Sequence, residues 1–499
     1  MHLAIVYMGR ESVELEYISA TLKRAGHLIS FAYDPGAYTA IDNVANIPFL
    51  AEKMSRKSAL ISRIVADNPD ALFFFTDSDT YQWSLDIARQ VRRHLIAPII
   101  FGGRHPTFAA HAVMKHSLVD YIVVGEAEET LPELLDLIAG RRKAESVRGI
   151  YYRDGQKVLE TGLRPPLANL DELPLPDKEL FAAEINIRDD YMLLVGRGCP
   201  GSCTYCREGT LRRMFGGKYI RRRSVESVLR ELEVMKNRYD FSFVMINDPV
   251  FFTSKKWTLE LLRGYKKRIG LPFRCYGQIK YLDVELVLAL KNAGCYGVEF
   301  GLQTTNDEMR RDILNRPETL EEAKKAFALC DRWRLHYDVD HIFGLPGETD
   351  KDCVDAARFY ADCAFLNRVK VHMLVHFPGA PIIDIAEKMG LASGEDRRRA
   401  EEGEVGDICR TGSVNRPDVR RHVFEWKNFY KLMPLFPKRL SGFIIDRGAN
   451  RLLGNIPHYF MITLQILVAI HGGDWRFWIY IKYHIFRFRR HRRFKEGHG

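Results

Sequence analysis

Short apolar runs alternate with amphipathic stretches along the first third of the chain. Residues 3–9 (LAIVYMG), 28–34 (LISFAYD) and the middle of 68–79 (NPDALFFFTDSD) have the length and composition of buried strands. Between and after them, 12–26 (SVELEYISATLKRAG) and 84–95 (SLDIARQVRRHL) read as helices, the first ending at Gly26. A further strand over 98–107 (PIIFGGRHPT) runs into a glycine pair, and 119–140 reads as strand, turn and helix. This alternation predicts an α/β fold with a doubly wound, Rossmann-like parallel sheet, whose ligands sit at the carboxyl ends of the strands. The loops at 77–80 and 102–106 would line such a site.

Residues 163–181 carry four prolines and read as a crossing between domains. A second strand–helix series follows. Strands are expected within 191–199, 241–252, 272–279, 296–304, 336–349 and 368–379, with helices over 224–239, 257–270, 283–295, 319–335 and 351–365. Six repeats fall short of an eight-fold barrel, so a partial (β/α)6 TIM-type barrel is expected. From 383 onward the pattern is helical, first polar and Arg-rich, then aromatic and basic. The expected domains are 1–145, a linker at 146–185, the partial barrel at 186–382 and a helical C-terminal extension at 383–499.

At 499 residues and 46% hydrophobic content, the chain is long enough for two or three domains with real cores. Nine cysteines is an odd number, and most lie far apart, which argues against a disulfide framework and for a reducing compartment. The start, MHLAIVYMG, has no basic leader or long apolar run, so no secretory signal is expected. The net charge of +10 is uneven: residues 471–499 hold eight Lys/Arg against two acidic residues. A nucleic-acid reading of the whole protein is therefore not expected.

Three cysteines, Cys199, Cys203 and Cys206, stand close together in GRGCPGSCTYCREG (196–209), spaced C-x3-C-x2-C. Iron–sulfur clusters are held by cysteine thiolates, normally four for a four-iron cluster. Three ligands on one loop would leave one iron open to a small molecule. The competing reading is a zinc site completed from elsewhere, but no paired C-x2-C or H-x3-H lies nearby to close a tetrahedron. The other cysteines (Cys275, Cys295, Cys330, Cys353, Cys363 and Cys409) read as free buried thiols.

The cysteine spacing, with Tyr205 before the last cysteine, resembles the signature of the radical S-adenosylmethionine (SAM) superfamily. Three further stretches agree. VEFGLQTTNDEMRRDILNRPET (298–319) is similar to the family's V-E-x-G-x-E-S segment, with Gln303 and Thr304 in place of Glu and Ser. HIFGLPGET (341–349) resembles its G-L-P-G-E-T turn, and INDPVFF (246–252) its D-D-x-F segment, with Asn247 for the first Asp. The resemblance implies that Cys199, Cys203 and Cys206 hold a four-iron four-sulfur cluster whose open iron chelates SAM for reductive cleavage. It implies that Asn247, Asp248, Glu299, Gln303, Gly344, Pro346, Gly347 and Glu348 surround SAM.

The first domain resembles the cobalamin-binding domain of one branch of this superfamily, on the stretch PIIFGGRHPTFAAHAVMKHSLVDYIVVGEAEETLPEL (98–134). That branch includes the anaerobic Mg-protoporphyrin monomethyl ester cyclase and cobalamin-dependent methyltransferases. The resemblance implies that Gly102 and Gly103 admit the nucleotide tail of cobalamin and that Thr76, Ser78 and Thr80 hydrogen-bond it. The D-x-H-x-x-G motif that supplies a lower cobalt ligand is missing: DPGAY (34–38) stands in about its place without a His, and His105 reads as a surface-loop or structural residue.

The expected function is therefore radical C-methylation of an unreactive carbon, on a small-molecule substrate of hydrophobic character. A cyclase-like radical reaction on a tetrapyrrole or lipid-like substrate without net methylation is the alternative. A non-catalytic cobalamin or cluster carrier or sensor is the reading of another class. An electron donor such as flavodoxin or ferredoxin is the expected partner, with no nucleic acid. The expected location is cytoplasmic. The apolar run 456–470 is short of a membrane span, and the basic, aromatic stretch 475–495 suits contact with the inner membrane face or packing on the barrel.

Overall fold

The computed structural model describes residues 1–39, 41, 46–408, 411–413, 417–454, 456, 458–471, 478–479, 481–482 and 485–486. The strands of the first sheet are β1 (His2–Met8), β2 (Leu28–Asp34), β3 (Ala71–Phe75), β4 (Ile99–Gly102), β5 (Tyr121–Val123), β6 (Ile150–Asp154) and β7 (Lys157–Glu160), in the order β2-β1-β3-β4-β5-β6-β7. The first five are parallel, and β6 and β7 add as an antiparallel hairpin. Leu3 to Val6 are all buried, as expected of a parallel strand covered on both faces. The hairpin was not expected from the sequence; its two-residue loop opens on Gly155, whose φ of +58° suits a tight hairpin turn.

The proline-rich segment is fastened to the first domain. Lys178 is fully buried and pairs with Glu11 and Glu16, each at 2.8 Å, while Asp177 accepts from Ser19 and Lys23 at 2.6 Å.

The second sheet holds β8 (Tyr191–Leu193), β11 (Val244–Ile246), β12 (Phe273–Gly277), β13 (Cys295–Gln303), β14 (His336–Phe343) and β15 (Leu366–Met373), all parallel and in chain order. β8 and β15 are its edges, which agrees with an open, six-stranded partial barrel. A small antiparallel pair, β9 (Gly196–Arg197) and β10 (Arg221–Arg222), brackets the cysteine loop. The helices between strands start where the sequence offers caps. Ser224 and Asp283 accept from the backbone of their first turns, and Thr319 and Glu322 form a reciprocal capping box.

The C-terminal region is helical, over Ile382–Lys388, Gly394–Glu401, Pro417–Leu432, Lys438–Asp446, Asn450–Gly454 and His458–His471. Tyr430 packs against His341 and Phe343 of β14 and donates to the Cys353 carbonyl at 2.6 Å. Cys275, Cys295, Cys330 and Cys353 are buried and Cys363 is half-buried, and none of the five is in a disulfide. Cys409 and most of the basic aromatic stretch 475–495 lie outside the described residues. Among the described residues no helix is long and apolar enough to cross a membrane.

Candidate functional site

The cysteine loop begins where β8 ends. Asp248, buried at the end of β11, accepts from the Val195 backbone N–H at 2.8 Å and so sets the path into the loop. Burial pushes its carboxyl up to about 7. Gly198, with φ +87°, leaves only 2.6 Å between its absent Cβ and the Tyr219 carbonyl oxygen, so a side chain would collide there. Cys206 then caps the helix Arg207–Phe215 in extended geometry.

Cys199 and Cys203 turn their sulfurs toward Gly201, where a Cβ would lie 3.4 and 3.5 Å from them, and the Gly201 N–H donates to Cys199 Sγ at 3.4 Å. Two side chains from segments distant in the chain, Gln278 just after β12 and Arg316 in the loop before helix Leu320–Trp333, also reach the sulfurs. Gln278 Nε2 donates to Cys199 Sγ at 3.7 Å, and Arg316 Nη1 to Cys203 Sγ at 3.7 Å and to the Tyr205 hydroxyl at 3.2 Å. Burial pushes the Cys199 thiol up to about 12 and raises that of Cys206. Among the described residues no three His, Cys, Asp or Glu side chains converge as ligands of one ion.

The candidates on the following strands gather at the same carboxyl ends. The Asn247 N–H donates to the Leu193 carbonyl at 2.8 Å, joining the ends of β11 and β8. Gln303 closes β13 at a register shift, with φ +71°; it is buried, and its Oε1 has no protein partner. After β14, the Gly344 N–H donates to Glu348 Oε2 at 2.7 Å, leaving Oε1 buried without a protein partner, and burial pushes this carboxyl up to about 8. Gly344 and Gly347 both hold positive φ, near +80°, and Pro346 between them is buried. Glu299 lies deeper, in mid-strand. It accepts from Lys370 at 2.5 Å and from Arg274, within a charged group that includes Asp338, Arg368, Asp340 and His372.

In the first domain the candidate loops are held by their own contacts. Thr76 and Thr80 share a hydroxyl hydrogen bond at 3.1 Å, and Ser78 Oγ meets His105 Nδ1 at 3.0 Å. His105 is fully buried and stacks on Tyr81 with ring centroids 4.2 Å apart, and burial pushes it down to about 3. It is a packing residue, inside the domain and not on a surface loop. The space beside Gly102 is filled by the Phe73 ring, and that beside Gly103 (φ +101°) by the Thr76 backbone, 2.6 Å from a would-be Cβ. These glycines are therefore needed by the protein's own packing.

The two domains meet around the cysteine loop. Asp77 pairs with Arg207 at 2.8 Å and Arg104 at 3.6 Å. Arg197 pairs with Glu126 at 3.2 Å and with Glu128, and Arg221 pairs with Glu126 at 2.7 Å. Gly125 abuts the Phe215 ring, 2.9 Å from a would-be Cβ. A cavity of about 390 Å³ opens at this junction, lined by Thr107 and Phe108 on one side and Thr210, Arg213, Met214 and Gly379 on the other. The sequence reading missed Gln278, Arg316 and this ring of ion pairs. Arg316 lies inside the stretch that carried the resemblance, whereas nothing local marks Gln278.

Residues 10–135 match the B12 binding domain and residues 193–360 the Radical SAM superfamily. The chain thus joins a B12-binding domain to a radical SAM domain, the arrangement of cobalamin-dependent radical SAM enzymes. These domains imply a four-iron four-sulfur cluster, SAM and cobalamin as cofactors. An uncharacterised methyltransferase of Pyrococcus horikoshii is 25% identical over 60% of this chain and 65% of its own length. The anaerobic magnesium-protoporphyrin IX monomethyl ester cyclase of Cereibacter sphaeroides is 24% identical over 69% of this chain and 55% of its own. The chain therefore spans less than two thirds of these two relatives. The fold is that of the radical SAM methyltransferase TsrM of Kitasatospora setae, solved with cobalamin and a [4Fe-4S] cluster, at 18% identity, a TM-score of 0.62 and coverage of 78% of each chain.

Proposed function

We propose that this protein is a cobalamin-dependent radical SAM methyltransferase acting on an unreactive carbon of a small molecule. The observation that carries the proposal is the placement of the first domain's strand-end loops against the cysteine-loop helix, through Asp77–Arg207 and Gly125–Phe215, with a cavity between them. Cys199, Cys203 and Cys206 would hold the cluster. Gln303 and the Gly344–Glu348 turn would line the SAM site; the buried, unpartnered Gln303 Oε1 and Glu348 Oε1 fit a ligand bearing N–H and O–H donors. Asn247 and Asp248 would act through the backbone, fixing where the loop begins. When bound, the cofactors supply the radical and the methyl group; the protein orients them and keeps water out. Thr76, Ser78, Gly102 and Gly103 would shape the cobalamin face by holding its loops. A flavodoxin or ferredoxin would supply electrons.

The similarity to the cyclase favours one further reading, a radical reaction without net methylation. Both are tested by incubating the cluster-loaded protein, without oxygen, with hydroxocobalamin, SAM and a strong reductant. S-adenosylhomocysteine together with 5′-deoxyadenosine supports methyl transfer. 5′-Deoxyadenosine alone favours the cyclase-like reaction, and neither product, with candidate substrates present, supports a non-catalytic carrier or sensor.

A further inference from the structure

The C-terminal helices carry an apolar face that nothing in the chain's described residues covers. Helix His458–His471 contains no Asp, Glu, Lys or Arg. Its inner side buries Met461 and Val468 beside Leu432. Its outer side presents Phe460, Leu467 and Ile470, at spacings of seven and three residues and each about half exposed or more. Earlier in the chain, helix Lys438–Asp446 exposes Leu440 and Phe443, and Leu452 is 75% exposed. Eight of the twenty large apolar side chains exposed among the described residues fall between 440 and 485. Clustered exposed apolar residues mark a docking surface.

Charge identifies the partner. From residue 437 to the end, twelve Lys/Arg stand against three Asp/Glu, leaving +9 of the chain's net +10 in its last 63 residues. We propose that this region seats the protein on an anionic lipid surface, with the apolar helix faces in the headgroup layer and the basic residues on the lipid phosphates. A helix of fourteen residues is about 21 Å long, too short to cross the hydrocarbon core, so it lies along the interface. A second copy of the chain is disfavoured as the cover, because a symmetric contact would bring two strongly positive regions together. A nucleic acid would use the charge but leave the apolar faces in water. The inference stands apart from the proposed reaction.

The test is sedimentation of the full chain with phosphatidylcholine vesicles and with phosphatidylcholine–phosphatidylglycerol vesicles. The expected result is binding to the anionic vesicles that is at least several-fold stronger than to the neutral ones and weakens with salt. The triple variant Phe460→Ser, Leu467→Ser, Ile470→Ser changes only outward-facing residues, and its thermal melt reports whether it folds. That variant, and separately Arg489→Glu with Arg490→Glu and Arg492→Glu, should each lower binding roughly tenfold or more. Equal binding to both vesicle types, no binding to either, or a folded triple variant that binds like the parent would overturn the proposal. So would a dimer in solution that the triple variant splits. Formation of 5′-deoxyadenosine without vesicles is measured alongside, so that loss of lipid binding and loss of the proposed chemistry are read separately.

Discussion

At the scale of single residues, the site depends on groups that hold the cysteine loop as much as on the cysteines. Cys203→Ala should leave the chain unable to retain its cluster: iron content and visible absorption after reconstitution fall to background, and 5′-deoxyadenosine formation is lost. Asp248 makes a different prediction. Burial pushes its carboxyl from 3.8 up to about 7, so the folded state prefers it protonated. Its contribution to stability is fully present below about pH 4 and is lost as the pH rises through about 7. Asp248→Asn keeps an acceptor for the Val195 N–H without the charge. Thermal melts should show a gain of several degrees for the variant over the parent at pH 8, a smaller gain at pH 5 and none near pH 3; an equal gain throughout would contradict the assigned cause. The cysteines were legible in the sequence because all three lie within eight residues. Gln278 was not, because its role depends on where β12 ends relative to a loop some seventy residues earlier.

At the scale of elements, local signals matched the structure wherever caps and apolar runs agreed. Thr319 and Glu322 mark the start of helix Leu320–Trp333 and satisfy each other's backbone. Thr319→Ala should therefore cost about 1 kcal/mol in denaturant unfolding, with little effect on SAM cleavage. Strands such as β1 and β3 were read because buried parallel strands are continuous apolar runs, whereas β15 was read from alternating burial. The hairpin β6–β7 escaped because its strands are half-buried and polar, with residues such as Arg153, Lys157 and Glu160 diluting the pattern. The pair β9–β10 escaped because two residues per strand carry no period. Gly102 and Gly103 show another limit. A glycine pair announces close approach, but only the fold shows that Phe73 and Thr76 are what approach.

At the scale of the whole molecule, ion pairs join the first domain to the helix that follows the cysteines. Asp77 is shared by Arg207 and Arg104, and its removal leaves both guanidinium groups without that carboxylate. Asp77→Ala should loosen the register between the domains. The expected outcome is a roughly tenfold fall in S-adenosylhomocysteine formation, with 5′-deoxyadenosine changed much less, since misplacing one reacting group by about an ångström is costly while cluster chemistry needs only its own loop. Comparable losses of both products would instead mean that Asp77 supports the fold generally. The sequence could name the two domains, but the pairing of Asp77 with Arg207, across 130 positions of chain, exists only in three dimensions. The central claim is that one chain holds both cofactors face to face across this junction. Its most direct test is the electron paramagnetic resonance spectrum of the chain loaded with cobalamin in its cobalt(II) state and with the cluster reduced. The expected result is a cobalt signal broadened and fast-relaxing through coupling to the cluster, and restored to an isolated signal in Cys203→Ala. A cobalt signal identical in the two proteins would contradict it.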